Sequence, residues 1–528
     1  MNITTHDDRY LRIDKEFDQQ DYVVFRSLPG AVWDQGQRAW YVPRVHLPTL
    51  ARHYEVPEAN TPGALRAAKE LPQPVVHRTE SWQHQLQAYH FASQNDATML
   101  AMEMGSGKSK VVVDLIQNDP EAKRVLIVAP STVVRDEVWN RQFAQHGARD
   151  DIHVLSLGKG EVSKRAQKLR DWWTLPGTRV AVVNYEAVWR QPMGHIIEVT
   201  GVDWLVADES HRAKSPSGKL SRWLGKAPKW AKRRLALTGT PLPHSPLDAW
   251  AQFRFLEPDL FGTSFTSFRH RYAILVNVPS LPAPLVKGYQ NVDELEARMD
   301  CITYRAGPEV LDLPEETHEH IGVELEPKAQ KTYRQLEREF ITEIESGVVT
   351  AGNALTRLLR LQQLTGGWLQ AENAEKAERV STAKQEALKD LLGDMSTGES
   401  IVVFCRFRAD LDAVQSVAVD LERPCHELSG RAHELEMWRE TEGSVLAVQI
   451  QSGDVGIDLT KARYCVYYSL HYSLGDYLQS LRRVHRPGQE RPVTYYHMIA
   501  RGTVDEAVYK ALQSRQEVVE AVLAEVGR

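Results

Sequence analysis

Cysteine is scarce. The 528 residues hold four, Cys301, Cys405, Cys425 and Cys465, with no CxxC pair and no histidine cluster at metal-ligand spacing. That excludes a disulfide scaffold and a zinc ribbon and points to a reducing compartment. Long apolar runs are also missing: none approaches the roughly 18 to 20 residues of a bilayer span. The opening MNITTHDDRY is polar and acidic, without a signal-peptide profile, so a cytoplasmic location with no membrane partner is expected. Neither a short-period repeat nor a low-complexity tract occurs. No charge of one sign dominates, since 64 Lys and Arg stand against 70 Asp and Glu, a net charge of −6. Such a balance does not advertise nucleic acid, yet it permits a local basic groove. What is present is ordinary for a globular chain: 42% hydrophobic and 25% charged residues. At roughly 150 residues per domain, the length makes three to four domains.

The fold class read from the pattern is α/β. Short β-branched runs such as RVLIVAP (124–130), RVAVVNY (179–185) and DWLVADE (203–209) are separated by helical stretches. Runs of this kind are strands buried on both faces, hence a parallel sheet covered by helices. The style returns in ESIVVFCRF (399–407), SVLAVQI (444–450) and RYCVYYSL (463–470). Two α/β lobes with helical insertions between them are therefore expected. The expected division is a small α+β module over 1–56, a Pro-rich linker over 57–78, a first lobe over 79–255, helical insertions and a connector over 256–395, and a second lobe over 396–528.

Three motifs carry chemistry. In AMEMGSGKSKVVVDLI (101–116), Gly105 and Gly107 allow a tight loop whose N–H groups can face a phosphate. Lys108 supplies a charge for the β- and γ-phosphates of ATP, and Ser109 a hydroxyl for Mg²⁺. Met102 stands where the full G-x-x-x-x-G-K-[ST] pattern has its first glycine, so the loop could by itself be a surface turn. The second is LVADESH (205–211), an apolar strand ending in Asp208 for Mg²⁺ and Glu209 for a water. The third is QSLRRVHRPGQ (479–489), where Arg483 and Arg486 are one helical turn apart and suit a transferring phosphate. Alone it would read as a basic helix end stopped by Pro487–Gly488.

Taken together and in this order, the motifs resemble those of the SWI/SNF-like family of superfamily-two helicase-type DNA translocases, over about residues 80 to 515. WQHQLQAYHF is similar to the Q motif, which implies Gln85 as adenine reader. EMGSGKS is similar to DEMGLGKT, which implies ATP binding by Met104, Gly105, Ser106, Gly107, Lys108 and Ser109. DESH resembles DEAH or DEGH, making Asp208 a metal ligand with Ser109, and Glu209 the catalytic base. APSTVVRDEVW resembles motif Ia, LTGTP (237–241) motif III, IVVFCRF motif IV and SGDVGIDLT motif V, where Gly456 and Asp458 face the nucleotide. Gln479, Arg483, Arg486 and Gln489 match motif VI, and GTVDEAVY (502–509) the signature after it. The resemblance implies two RecA-like lobes with parallel sheets, ATP and Mg²⁺ as cofactors, and catalysis by Lys108, Asp208, Glu209, Arg483 and Arg486. Candidate contacts to the nucleic-acid backbone are Ser131, Thr132, Thr240, Arg406 and Gln479, with Lys214 a weaker one. Asp454 and Asp458 depart from the family's Gly and Asn in motif V.

VVFRSLPGAVWDQGQRAWYVP resembles the HARP-type module of annealing helicases, through Pro29–Gly30, Trp33, Trp40 and Tyr41. The bland reading of those aromatics is the core of a small β module. The function implied is an ATP-dependent translocase on double-stranded or forked DNA that remodels, anneals strands or displaces proteins. DNA-repair, replication or transcription proteins are the partners it would meet, in a prokaryotic cell or a virus-infected one. A strand-separating DNA or RNA helicase shares every ATPase motif, and a non-catalytic DNA-binding clamp is the third reading.

Overall fold

A computed structural model of the chain describes residues 2–6, 10–14, 19–26, 28–51, 54, 77–239, 241–242, 245–276, 284–345, 351–369, 378–450 and 457–514. It divides into two units, Met1–Val310 and Leu311–Arg528. Both are α/β with parallel sheets, the two RecA-like lobes expected.

The first unit begins with a small antiparallel sheet in the order Asn2–Thr5, Tyr10–Asp14, Ala39–Pro43, Val32–Asp34. Alternation along Tyr10–Asp14 turns Leu11 and Ile13 inward, where they meet Phe25 and Trp40. The module rests on the lobe that follows it. Cys301 Sγ donates to the Val45 carbonyl at 3.4 Å. His46 is fully buried beside the Pro29 carbonyl at 2.7 Å, and burial pulls its pKa down to about 3. Gly30, at φ +78°, makes the approach possible: a Cβ there would lie 2.9 Å from Asp259 Oδ1. The linker expected over 57–78 falls almost wholly outside the described residues.

The main sheet of this unit has seven parallel strands in the order Thr303–Ala306, Ala97–Met102, Ala231–Thr238, Val202–Asp208, Arg124–Ala129, Thr178–Asn184, Ile152–Leu157. Its central strands are buried along their length, as the continuous apolar runs predict. Register places Leu237 beside both Asp208 and Leu100, so three neighbouring strands end together. Ligand sites of open parallel sheets form at such ends.

The second unit carries six parallel strands in the order Glu316–Val323, Val493–Ala500, Tyr464–Tyr467, Ile401–Cys405, Val445–Gln449, Cys425–Leu428. Helices Pro327–Glu345 and Ala351–Thr365 pack onto it: Val504 N–H donates to Tyr333 Oη at 2.7 Å, and Tyr472 Oη to the Leu358 carbonyl at 2.9 Å. The stretch 256–395 is thus shared. Thr303–Ala306 extends the first sheet and Glu316–Val323 the second, with the crossing at 310/311. The GTVDEAVY signature forms the helix Val504–Gln513, capped by Thr503. Asp505 is buried there, 2.6 Å from Lys384 Nζ and 3.0 Å from Thr365 Oγ1. Among the described residues no helix is long and apolar enough to cross a membrane.

Candidate nucleotide site

Ala97–Met102 runs into a loop over 103–107, and the helix Lys108–Asn118 starts directly after it. Gly105 and Gly107 both sit at φ +84°, in the left-handed region. Space adds to the demand at Gly107, where a Cβ would lie 2.2 Å from Gln85 Nε2. Ser106 is fully buried, and its carbonyl accepts from Gln85 Nε2 at 3.0 Å and faces His84 Nε2 at 2.8 Å. Gln85 Oε1 accepts the Trp82 N–H at 3.0 Å. Gln85, predicted to read adenine, therefore commits both ends of its amide to the chain and braces the loop. Lys108 Nζ donates to the Met102 and Glu103 carbonyls at 2.8 and 3.1 Å, which holds the amine in the mouth of the loop.

The strand Val202–Asp208 delivers Asp208 beside this loop. Trp139 Nε1 donates to Asp208 Oδ2 at 3.1 Å, and Tyr185 Oη to the Asp208 carbonyl at 2.6 Å. Glu209 follows at φ +54°, a conformation that costs about 1 kcal/mol or more and ends the strand there. Both carboxylates are held above the usual range. Burial is the main cause for each; Asp208 also feels the Glu209 charge, while Lys108 acts in the opposite sense on both. His211 Nδ1 lies 3.3 Å from Glu209 Oε2 and 3.4 Å from Thr238 Oγ1. Ser210 Oγ donates to Gln252 Oε1, whose Nε2 donates to the Pro241 carbonyl at 2.6 Å. DESH and LTGTP are joined by these two bridges.

The donor set fits a nucleotide with a divalent cation. The half-buried Asp208 and the buried Glu209 adjoin, and the charge of one raises the pKa of the other, a state that a cation relieves. Among the described residues no three His, Cys, Asp or Glu side chains assemble as a cage. A metal held by Ser109 and Asp208 would take its remaining ligands from phosphate and water.

In the second unit, the helix Leu474–Val484 carries Gln479 and the buried Arg483. It stops two residues before Arg486, because Pro487 disfavours helical backbone in the residue preceding it. The two arginines do not share a helix face, contrary to expectation. Arg486 Nη1 instead donates to the Ile457 carbonyl at 3.3 Å, and Gln489 Nε2 to the Ala462 carbonyl at 2.9 Å, which draws motifs V and VI together. The Asp458 carboxylate accepts from Thr460 N–H and Oγ1 at 2.9 and 2.8 Å. Gly456 and Thr240 lie outside the described residues.

Ser131 is exposed and Thr132 half-buried, at the start of the helix Ser131–Arg135. Lys214 Nζ lies 3.8 Å from Asp248. Arg406 is turned inward, against expectation. It is 9% exposed, donates to Gln362 Oε1 at 2.6 Å and stacks on Tyr472 at 4.2 Å. Burial lowers its pKa to about 10. Sequence reasoning missed Trp139, Tyr185, His84 and Gln252. Trp139 stands inside APSTVVRDEVW, but nothing in the sequence tells a packed indole from one that donates to a carboxylate.

Loop, paired carboxylates and two RecA-like lobes define a helicase-type ATPase. Residues 59–366 match the SNF2-related domain and residues 383–488 the helicase conserved C-terminal domain. The chain belongs to the SNF2-related family. It is 25% identical over 450 residues to protein p41 of Acyrthosiphon pisum secondary endosymbiont phage 1, covering 80% of this chain and 94% of that one. It is 24% identical over 448 residues to the DNA annealing helicase and endonuclease ZRANB3 of Homo sapiens, covering 81% of this chain and 39% of that protein. It therefore spans about two-fifths of the length of that larger relative. The helicase domain of Hef from Pyrococcus furiosus has the same fold, with a TM-score of 0.51 at 15% identity over 82% of this chain and 98% of that one.

Proposed function

We propose that the protein is an ATP-dependent translocase on double-stranded or forked DNA, with fork remodelling, strand annealing or protein displacement as its outcome. The observation that carries this reading is the meeting of Lys108 with Asp208 and Glu209 at the ends of neighbouring parallel strands, in a chain of the SNF2-related family. The DNA substrate rests on the likeness to the annealing helicase, and a prokaryotic or viral setting on the phage relative.

Hydrolysis here is positioning and electrostatics. The N–H groups of 105–109 and the Lys108 amine hold the phosphates, while Ser109 and Asp208 hold Mg²⁺. When bound, the ion draws charge from the phosphate oxygens. Glu209 orients the attacking water and accepts its proton, and Arg483 and Arg486 stabilise the developing negative charge. Gln85 acts by bracing the loop, and Gly456 and Asp458 belong to the nucleotide side of motif V. Ser131, Thr132, Thr240 and Gln479 are the proposed backbone contacts, which carry no sequence code and so suit a motor that crosses any sequence. Arg406 is withdrawn from that set, since its guanidinium is committed to Gln362 and Tyr472. The HARP-like module over 1–56 is assigned to fork recognition. Trp33, half-exposed and 5.6 Å from the Trp40 ring, is its candidate base-stacking face.

ATP hydrolysis measured with no nucleic acid, single-stranded DNA, linear duplex, forked DNA and RNA, with Lys108→Ala as control, tests the reading. Stimulation by duplex or fork that vanishes in the control supports it. Stimulation by single strands or RNA alone would replace it with a strand-separating helicase. Trp33→Ala is expected to lower fork stimulation while sparing the unstimulated rate.

A further inference from the structure

The helix Val138–His146 buries one large side chain against the nucleotide site, and it does so with a polar atom. Trp139 is 1% exposed and its indole N–H meets Asp208 Oδ2 at 3.1 Å. A buried indole ordinarily finds a partner for its N–H. This unit follows that habit only in part: Trp204 donates to Asp119 Oδ2 at 2.7 Å, whereas Trp172, Trp173, Trp223, Trp230 and Trp250 each bury an indole nitrogen with no partner among the described residues. What sets Trp139 apart is its acceptor, the carboxylate that ends the strand Val202–Asp208 beside the phosphate loop. An indole only donates, so it holds a carboxylate oxygen without competing for a proton. It takes Oδ2, and among the described residues no side chain donates to Oδ1.

We propose that Trp139 is a positioning residue of the hydrolytic centre: its indole N–H orients the Asp208 carboxylate and ties it to the helical segment Ser131–His146, so that DNA held by that segment aligns the metal-binding oxygen. The connection is short. Ser131 and Thr132 open the helix Ser131–Arg135, and Trp139 stands in the next helix, seven residues after Thr132. Tyr185 Oη fixes the Asp208 backbone from the other side at 2.6 Å. The carboxylate torsion is then the freedom left for Trp139 to set. The inference rests on the reading of Asp208 as the metal carboxylate given above.

The test compares Trp139→Phe, which keeps a ring and removes the donor, with Trp139→His, which keeps a ring N–H. ATP binding is measured by calorimetry with Mg²⁺ and with a chelator, alongside Tm and duplex-stimulated turnover. A charge-assisted hydrogen bond sets the scale. Trp139→Phe is expected to lose about tenfold of the tightening that Mg²⁺ gives, with metal-free binding unchanged. Its duplex-stimulated kcat is expected to fall toward the unstimulated rate, and Trp139→His to recover part of both. Equal loss of binding with and without Mg²⁺, in step with a lower Tm, would show mere packing and overturn the proposal. So would full Mg²⁺ tightening in a folded Trp139→Phe or, should that variant not fold, failure of Trp139→His to keep any tightening. Asp208→Asn separates the two readings. If it retains turnover, the site assignment itself fails; if it loses turnover while Trp139→Phe behaves as the unaltered chain, only the role of Trp139 fails.

Discussion

An alanine at position 107 meets two obstacles. Its Cβ would fall 2.2 Å from Gln85 Nε2, and its backbone would have to keep φ at +84°. A left-handed conformation costs a non-glycine residue about 1–2 kcal/mol. Relieving the clash by swinging Gln85 away gives up the 3.0 Å bond to the Ser106 carbonyl, worth about 1 kcal/mol. Together the phosphate-binding shape of the loop becomes about 2–3 kcal/mol harder to hold. Charged to binding alone, that weakens ATP about 30- to 150-fold, at 1.4 kcal/mol per factor of ten. Titration of a fluorescent ATP analogue reads the change directly. Gln85→Ala in the same background removes a bond that Gly107→Ala has already given up and leaves the backbone strain, so the double variant is expected to bind about as tightly as Gly107→Ala alone. Binding by Gly107→Ala within threefold of the unaltered chain would refute the reasoning, and so would strict additivity in the double variant.

Glu209→Gln is expected to reduce turnover at least a hundredfold while ATP binding persists, since a base worth 10²–10⁴ is removed and the phosphate loop is untouched; single-turnover hydrolysis and equilibrium binding check it. The raised pKa values of Asp208 and Glu209 set the sign of the pH response. Metal binding needs the ionised pair, so the Mg²⁺ concentration for half-maximal activity is expected to begin rising, as pH falls, at a higher pH than an ordinary carboxylate would give. Stability runs the other way, because a carboxylate with a raised folded pKa favours the fold when protonated and loses that contribution as pH rises through the folded pKa. Asp208→Asn is accordingly expected to raise the Tm of the metal-free protein at pH 8 while abolishing hydrolysis. Asp505→Asn leaves the Lys384 ammonium buried without its counter-charge, at a cost of about 3–5 kcal/mol. At about 2–4 °C per kcal/mol for a unit of this size, its melting transition is expected to fall on the order of 10 °C.

How far the sequence discloses the molecule depends on where each group sits. RVLIVAP, RVAVVNY, DWLVADE and ESIVVFCRF are strands of two parallel sheets because both faces of a central strand are covered, and coverage writes itself as unbroken β-branched runs. ETHEHIGV leaves no such record. It forms the edge strand Glu316–Val323, whose residues are mostly exposed or half-buried, so its polar composition reads as a connector. The motif residues Lys108, Asp208 and Glu209 were legible because loop glycines and an acidic strand end have few other uses in combination. Arg406 was not: a charged residue after a strand reads as surface, and only Gln362 and Tyr472, brought in from 44 residues before and 66 after, make its burial tolerable. Arg486 escaped its expected helix face for a local reason, the proline beside it.

The buried knot of Lys384, Asp505 and Thr365 decides how the second lobe can be cut. The helicase C-terminal match covers 383–488 and invites expression of that stretch as a fragment. Such a piece would lack the strand Val493–Ala500, which lies between Glu316–Val323 and Tyr464–Tyr467, and would strand Lys384 in an apolar interior without its acid. A fragment that keeps the knot and every strand of its sheet begins before Glu316 and runs beyond Gln513. Sequence drift in the lobe faces the same constraint: Lys384 and Asp505 are free to change only as a pair, although 121 positions separate them along the chain.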